Sequence, residues 1–585
     1  MRASVLALGT VTAALAAAVF ASLLSATPAT AATPSFPGAP TTRYAQVERV
    51  CAAPKPGDAS CLALRLIPAR AGEKGAAPYL SAAGDRSSGP AGGLTPGDLA
   101  SAYDFNPSSG GGGQTVALVD AYNDPDIEAD LGTFDSQYAL PACTTADGCF
   151  EKVGQSGSET ALPPDDTNGW SVEITLDVET VHSVCQACRI ILVEANSEEL
   201  GDLAASVNEA VALGANEVSN SYAAFETEFG ASEAAAYDHP GTVVTAAAGD
   251  SGFLNWDDLF SLGTAPEQPD APASLPTVVA VGGTTLKLSS SGKRKSERVW
   301  NDSGLPTREE FKQFSASGGG CSSLFSAPAW QREASGWSTT GCGSKRLDND
   351  ISAVADPYTG FDIYDTYQYE KAFTPGWLTV GGTSLSSPLI AGLYALAGGG
   401  HGRSYPASEL YEHLGQPAAL YDVASGGNGY CDGEENGPCE EPAVNELFGV
   451  LDCEGTAACD ARPGYDGPSG VGAPIGLTAF GGVEVTKPTV TTAAATAVAS
   501  TSATLNATVN PNGTDVTTCT FEYGPTTAYG SSAPCAIAPG EGKTAVAVSA
   551  PIASLLPKMT YHFRVLATNA AGTSDGKDKH FKTKA

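Results

Sequence analysis

The chain has 585 residues, enough for more than one domain, with 65 acidic against 31 basic side chains and a formal net charge of −34. So acidic a chain lacks the basic face a nucleic-acid partner needs, and fits a protein kept soluble outside the cell or one working in acid, where many carboxylates are neutral. Beyond residue 31 no stretch is apolar for long enough to span a bilayer, so no membrane span is expected.

Residues 1–31 read as a secretory signal: Arg2, an alanine-rich core interrupted by Thr10, Thr12 and Ser22, then Ala29-Thr30-Ala31 as a cleavage site. The fourteen cysteines fall as close pairs: Cys51/Cys61, Cys143/Cys149, Cys185/Cys188, Cys321/Cys342, Cys431/Cys439, Cys453/Cys459 and Cys519/Cys535. Local pairing in an exported chain suggests disulfides. The competing reading is zinc, since Cys185-x-x-Cys188 is half of a zinc-site spacing, but no matching second half follows.

Residues 32–93 are rich in Pro, Ala and Gly, and little fold is expected there. After the glycine run 110–113 the pattern becomes alternating strands and helices. Residues 114–121 read as a buried strand ending near Asp120, which either supports a site or caps the strand. Residues 189–194 are a second strand. A helix is expected to start at Asn196, with Glu199 at capping-box spacing, an apolar face of Leu200, Leu203, Val207 and Val211, and Gly214 at its end. Further strands are expected over 217–222, 242–248 and 277–281. This alternation predicts an α/β fold, a mainly parallel sheet with helices on both faces and its site at the carboxyl ends of the strands.

Three segments carry chemistry. Trp170 to His182 reads as a helix on which Glu173 and Asp177 share a face. Leu176, Val178, Val181 and Val184 surround them with apolar residues, so the pair is expected to be buried. Two buried carboxylates repel unless one holds a proton, which raises the pKa of the pair. His182 lies outside the pair and reads as structural. Gly249-Asp250-Ser251-Gly252 closes a strand as a turn. It also resembles the Gly-Asp-Ser-Gly-Gly segment of chymotrypsin-like proteases, with Ser251 as nucleophile. However, Phe253 replaces the last glycine, no Ala-Ala-His-Cys segment precedes it, and the α/β pattern contradicts an all-β fold. In Gly381-Gly382-Thr383-Ser384-Leu385-Ser386-Ser387-Pro388, glycines let backbone approach substrate, and a serine opening a helix has free amides beside it for an oxyanion. The alternative is a serine N-cap with Pro388 in the first turn.

A serine nucleophile needs a base. Subtilisins, whose nucleophile segment the run around Ser384 resembles, place a histidine base in a His-Gly-Thr/Ser segment ahead of the serine; of the six histidines here only His401 precedes a glycine, and it lies beyond Ser384, so the comparison implies a carboxylate base instead. The run Gly-Thr-Ser-x-Ser-x-Pro resembles the nucleophile segment of the subtilisin clan, and a carboxylate base is the mark of the sedolisin family of serine-carboxyl peptidases. Leu94-Thr95-Pro96-Gly97-Asp98-Leu99, Ala273-Ser274-Leu275-Pro276 with Thr277-Val278-Val279-Ala280-Val281-Gly282-Gly283-Thr284, Gly318-Gly319-Gly320 and Pro328-Ala329-Trp330-Gln331 resemble further blocks of that family, over residues 94–480. The resemblance implies a subtilisin-like sheet, Ser384 as nucleophile, Glu173 as general base, Asp177 orienting it, and Asp250 donating to the oxyanion beside the Ser384 amide. Asp422-Val423 and Arg462-Pro463-Gly464-Tyr465-Asp466 resemble the family's calcium site, implying one structural Ca2+ held by the side chains of Asp422 and Asp466 and the carbonyls of Val423, Arg462 and Gly464. The family more often has glycine where Arg462 stands, which a carbonyl ligand tolerates. Relatives usually carry a long folded propeptide, whereas only the short segment 32–93 is available here.

From Lys487 onward Thr, Val and Ala alternate as in short strands. Leu556-Pro557 and the run from Tyr561 to Gly572 resemble late strands of a fibronectin type III domain, a β-sandwich acting as a spacer or binding a surface or polymer. The expected organisation is therefore a signal (1–31), a short pro segment (32–93), a peptidase domain (94–482) and a small all-β sandwich (486–585). The expected function is that of a secreted, monomeric, acid-active, calcium-binding endopeptidase cutting proteins or peptides. A secreted binding protein that keeps the fold without activity is the contrasting class, and the intact set Glu173, Asp177, Asp250 and Ser384 speaks against it.

Overall fold

The computed structural model describes residues 43–585 except 53, 70–76, 80–88, 258–266, 304–314, 370–373, 431–443, 446–448, 451–452, 454, 482–485, 513–515, 541, 543 and 570–571. The signal segment and the Cys431/Cys439 pair lie outside the described residues.

The N-terminal segment contains β1 (Arg43–Arg49), β2 (Ser60–Cys61) and β3 (Leu64–Ala69), ahead of the short helix α1 (Pro96–Tyr103). The central layer then runs through β4 (Thr115–Ala121), α2 (Ile127–Tyr138), β5 (Phe150–Gly154), α3 (Trp170–Val184), β6 (Arg189–Ala195), α4 (Leu200–Ala212), β7 (Glu217–Asn220) and β8 (Tyr222–Phe225). It continues with β9 (Val243–Ala247), β10 (Val279–Leu288), β11 (Arg294–Val299), β12 (Ile351–Val354), β13 (Phe361–Asp365), β14 (Gly376–Gly381) and α5 (Thr383–Ala397).

The main sheet has the order β11-β10-β9-β7-β4-β6-β5, with β12 also paired to β10. Every pairing is parallel except β10 with β11. β4 is buried from Val116 to Ala121, because a parallel strand covered on both faces reads as a continuous apolar run. α3 and α5 pack against each other beside this sheet, and α4 packs on β4 and β6. All fifteen residues of α3 are buried, its carboxylates included. This is the mainly parallel α/β architecture that the alternating pattern predicts.

Two local expectations are corrected. The helix expected from Asn196 begins at Leu200, and Glu199 makes no side-chain cap. The backbone there is taken by the N-terminal segment: Ala59 N donates to Glu198 O (2.8 Å), Leu200 N to Gly57 O (3.1 Å), and Asp58 bridges Glu199. The segment expected to hold little fold is itself paired: β3 lies between β1 and β14 in an antiparallel sheet that continues to β13. Its pairing partner is more than three hundred residues away, so no local pattern announced it.

Six disulfides form among the described residues, all between the expected neighbours, which removes the zinc reading of Cys185 and Cys188. The tail forms two antiparallel sheets. One pairs Thr489–Thr492, Ala503–Asn510 and Val546–Ile552. The other contains Ser531–Pro534, Thr518–Gly524, Thr560–Asn569, Gly572–Asp575 and Lys579–Lys582. Alternate residues of Thr560–Asn569 turn inward, and Leu505, Val509, Phe521, Phe563 and Val565 share a separate apolar core. Among the described residues no helix is long and apolar enough to cross a membrane.

Candidate active site

α5 starts at Gly382 (φ 98°, ψ 165°), not at a serine cap, and places Ser384 in its first turn, fully buried. Pro388 sits inside the helix rather than in its first turn. Having no N–H, it leaves the Ser384 carbonyl without its usual helical donor. Ser221 Oγ reaches that carbonyl at 3.5 Å. Ser221 interrupts the strand expected over 217–222, dividing β7 from β8, and its own carbonyl accepts from Ser384 Oγ at 3.3 Å.

The helix α3 brings Glu173 and Asp177 to the same place from the other side. Asp177 Oδ1 accepts from Ser221 Oγ (2.8 Å), while its Oδ2 is buried without a hydrogen-bond partner. Glu173 Oε2 accepts from the backbone amides of Leu62 (3.0 Å) and Ala63 (2.8 Å), and its Oε1 is buried and unpaired. Burial drives the Glu173 carboxyl well above its usual range. The negative charges of Asp120 and Asp250 add to this, and the neighbouring Ser384 hydroxyl and Ala63 amide oppose it. Asp177 is raised for the same first reason, then by Asp120 and Glu173.

Asp250 follows β9 and turns into the start of α5. Its Oδ1 accepts from Thr383 N and Thr383 Oγ1, both at 2.8 Å, and its Oδ2 is buried and unpaired. Burial pushes this acid up to about 7, against the pull of the Thr383 donors and the Arg49 charge. Oδ2 is thus positioned to carry a proton at acid pH. A Cβ added to Gly382 would collide with the Leu62 carbonyl oxygen and approach Asp250 Oδ2 to 2.7 Å, so those two oxygens flank one point beside the helix N-terminus.

Two neighbours join the four expected residues, Asp120, whose site-supporting alternative holds, and Ser221, which the sequence did not single out. Asp120, at the carboxyl end of β4, is buried with neither oxygen hydrogen-bonded, is raised to about 7 by burial, and acts electrostatically on both Glu173 and Asp177. Its strand-end place was the only signal. Ser221 had none, being a serine within an apparent strand. By contrast Ser251 is turned away: its Oγ accepts from Arg49 at 3.0 Å, and Arg49 also pairs with Asp257 at 3.1 Å. His182 is buried against Pro141 O (2.9 Å) and Asp135 (3.2 Å), in a packing role.

Residues 165–450 match the family model for the subtilase family. Kumamolisin from Bacillus sp. (strain MN-32) is 29% identical over 399 residues, covering 66% of this chain and 62% of its own length. Sedolisin from Pseudomonas sp. (strain 101) is 29% identical over 376 residues, covering 62% and 59%. The solved Pseudomonas sedolisin, a serine-carboxyl proteinase complexed with two molecules of pseudo-iodotyrostatin, superposes with a TM-score of 0.52 at 25% identity, covering 67% of this chain and 98% of that one. The chain is similar to the sedolisins in sequence and in fold. It spans less than two thirds of the length of the two curated enzymes.

The residues with the sedolisin-like metal pattern also meet. Gly464 N donates to Asp422 Oδ1 (3.1 Å), and Arg462 N to Asp466 Oδ2 (2.7 Å). Ser469 Oγ bonds Asp466 Oδ1 (2.7 Å) and reaches Val423 O (3.4 Å). Asp466 is fully buried and raised to about 8, chiefly by burial, with the Asp422 charge acting in the same direction. The Arg462 guanidinium reaches Asp460 (3.7 Å) and Gly455 O, and the carboxylates of Asp422 and Asp466 lie near each other, with Ser469 joining Asp466 to the Val423 carbonyl. Such an oxygen set fits a hard divalent cation.

Proposed function

We propose that this chain is a secreted serine-carboxyl endopeptidase that cuts proteins or peptides in acid. The observation that carries the reading is the convergence of Ser384, Glu173 and Asp250 on one buried point at the N-terminus of α5. Ser384 Oγ attacks the substrate carbonyl and its proton passes to Glu173. The negative charge that grows on the carbonyl oxygen meets the amides opening α5 and the proton on Asp250 Oδ2. Glu173 then gives its proton to the leaving amine, and water, deprotonated by Glu173, releases the acyl group.

The carboxylates divide the labour by sharing charge. Protons on Asp120 and Asp250 remove two of the charges that raise Glu173, and in acid the coupled carboxyls hold some protons but not all, which lets Glu173 accept the Ser384 proton while Asp250 donates. Asp177, fixed by Ser221 Oγ, orients Glu173 along the face of α3. This demands a medium in which Asp250 is protonated, that is, below about 7.

Asp422 and Asp466, with the carbonyls of Val423, Arg462 and Gly464, would hold one calcium ion, which would supply charge and tie two distant loops together. The two-sheet tail is proposed to be a fibronectin type III-like spacer or surface-binding module, and the whole a monomer exported by its signal. Hydrolysis of a denatured protein across acid and neutral pH tests the main reading. Activity below pH 7 that Ser384→Ala abolishes, with Ser251→Ala still active, is the expected result. A best rate at neutral pH or above, or an active Ser384→Ala, would overturn it.

A further inference from the structure

A second set of reactive side chains, unused by the peptidase chemistry, meets where β4, β5 and β6 end. β6 runs between the other two strands. Its register with β5 sets Lys152 opposite Leu192 and Gly154 opposite Glu194, so Lys152 and Glu194 share one face of the sheet. Asn123 stands two residues past β4, fixed by Asn123 N to Pro164 O (2.9 Å) and Asp166 N to Asn123 O (2.9 Å). Lys152 Nζ donates to Asn123 Oδ1 at 2.7 Å and to Asp124 O at 2.6 Å, and lies 3.6 Å from Glu194 Oε1. Asn123 Nδ2 donates to Asp165 Oδ1 at 2.6 Å. An amine, a carboxamide and a carboxyl group are thus held in contact, one from each of three neighbouring strands or strand ends.

The surroundings suit a reaction between them. Glu194 is fully buried; its Oε1 accepts from Asp124 N at 3.0 Å, and its Oε2 is buried without a hydrogen-bond partner. Asn123 is buried too, and the Lys152 side chain is only 17% exposed. Burial takes hydration from both members of the ammonium–carboxylate pair, so a proton passes between them at little cost. It pushes the Glu194 acid up to about 8, against the pull of the Lys152 charge, which lets this carboxyl take up and return a proton near neutral pH. Groups fixed in contact react as though at effective concentrations on the order of 10⁵ M or more, which offsets the low reactivity of a carboxamide. Lys152 also lines an open groove with Pro125, Glu151 and Leu162, an exit for a small product.

We propose that Lys152 and Asn123 are the two ends of an intramolecular isopeptide bond, formed with Glu194 as the proton carrier. Glu194 takes one proton from the Lys152 ammonium, and the freed Nζ attacks Asn123 Cγ. As the tetrahedral centre collapses, the bond from Cγ to Nδ2 breaks. The proton on Glu194 and one from Nζ pass to Nδ2, which leaves as ammonium, and Glu194 is a carboxylate again. Asp165 steadies the departing nitrogen through the hydrogen bond it already accepts. No oxidant or reductant is consumed. The new amide joins the end of β4 to β5 across β6 and closes the chain between residues 123 and 152 as a disulfide closes a loop. It also anchors the strand end that carries Asp120, three residues before Asn123. The proposal is independent of the peptidase reading.

The test is peptide mapping by mass spectrometry of the full chain carrying Ser384→Ala, sampled over minutes to days near neutral pH after folding. The peptides containing Asn123 and Lys152 should be recovered joined and lighter than their sum by about 17 Da, the mass of one ammonia. Trypsin should also fail to cut after Lys152. Glu194→Gln, which keeps the shape of the carboxyl but cannot carry the proton, should slow the joining by about a hundredfold. Lys152→Arg and Asn123→Ala should each abolish it and lower the melting temperature by a few degrees, since the closed loop is lost. Separate peptides of unmodified mass from the folded parent chain overturn the proposal and leave a buried ion pair with a hydrogen bond, a result that stands even where a variant fails to fold. Joining at the parent rate in folded Glu194→Gln overturns the part given to Glu194.

Discussion

Asp250→Asn separates the proton on this residue from everything else it does. Asp250 titrates near 7 in the fold, raised from the ordinary 3.8 mainly by its burial. Below about 4 the folded and unfolded chains both carry the proton. Between 4 and 7 the unfolded chain gives its proton up while the fold retains it, so stability falls by about 1.4 kcal/mol per pH unit and levels off above 7 with roughly 4 kcal/mol lost. Asparagine has no proton to lose, and its carbonyl oxygen still accepts from Thr383 N and Oγ1. Denaturant unfolding should be compared at pH 4.5 and 8 for Ser384→Ala and for Ser384→Ala with Asp250→Asn, a background that cannot digest itself. The double variant should lose less stability on going to pH 8, by an amount on the order of 3–4 kcal/mol. In the active background, Asp250→Asn should keep partial turnover, since an amide also donates, and lose the decline in activity near pH 7. Equal pH losses of stability in the two chains, or an unchanged alkaline limb, would refute the assignment of the proton to Asp250.

Asp120 (about 7), Asp124 (about 7), Asp356 (about 7) and Glu194 (about 8) are raised in the same direction, so the wild-type fold should melt at a higher temperature at pH 5 than at pH 8. A higher melting point at pH 8 would contradict this. Chelation, or Asp466→Ala, should lower the melting temperature more than it alters turnover, and an unchanged melting point with no metal by elemental analysis would remove the calcium site. Gly382→Ala puts a Cβ where the Leu62 carbonyl oxygen now lies, at a φ of 98° that disfavours side chains. Turnover on a reporter peptide should fall by roughly a hundredfold or more, the typical cost of losing an oxyanion contact, and full activity would show that substrate carbonyls bind elsewhere.

Much of this protein is written locally. β4 and β6 are recognisable as continuous apolar runs, the tail strands as alternation, and the disulfides as close cysteine pairs, because each pattern answers to neighbours within a few residues. Glu173 and Asp177 share a helix face by spacing alone, and Ser384 is marked by the glycines before it. What spacing could not give was proximity. Asp120 joins the carboxylates, and Ser221 links Asp177 to Ser384, because the carboxyl ends of three central parallel strands meet two helices. The N-terminal segment shows the limit most clearly. Its strands have weak intrinsic signals, and they exist because β8 and β14 offer unpaired edges on either side of the cleft. Backbone hydrogen bonds to a distant edge depend on where the chain returns in space, which only the folded core determines.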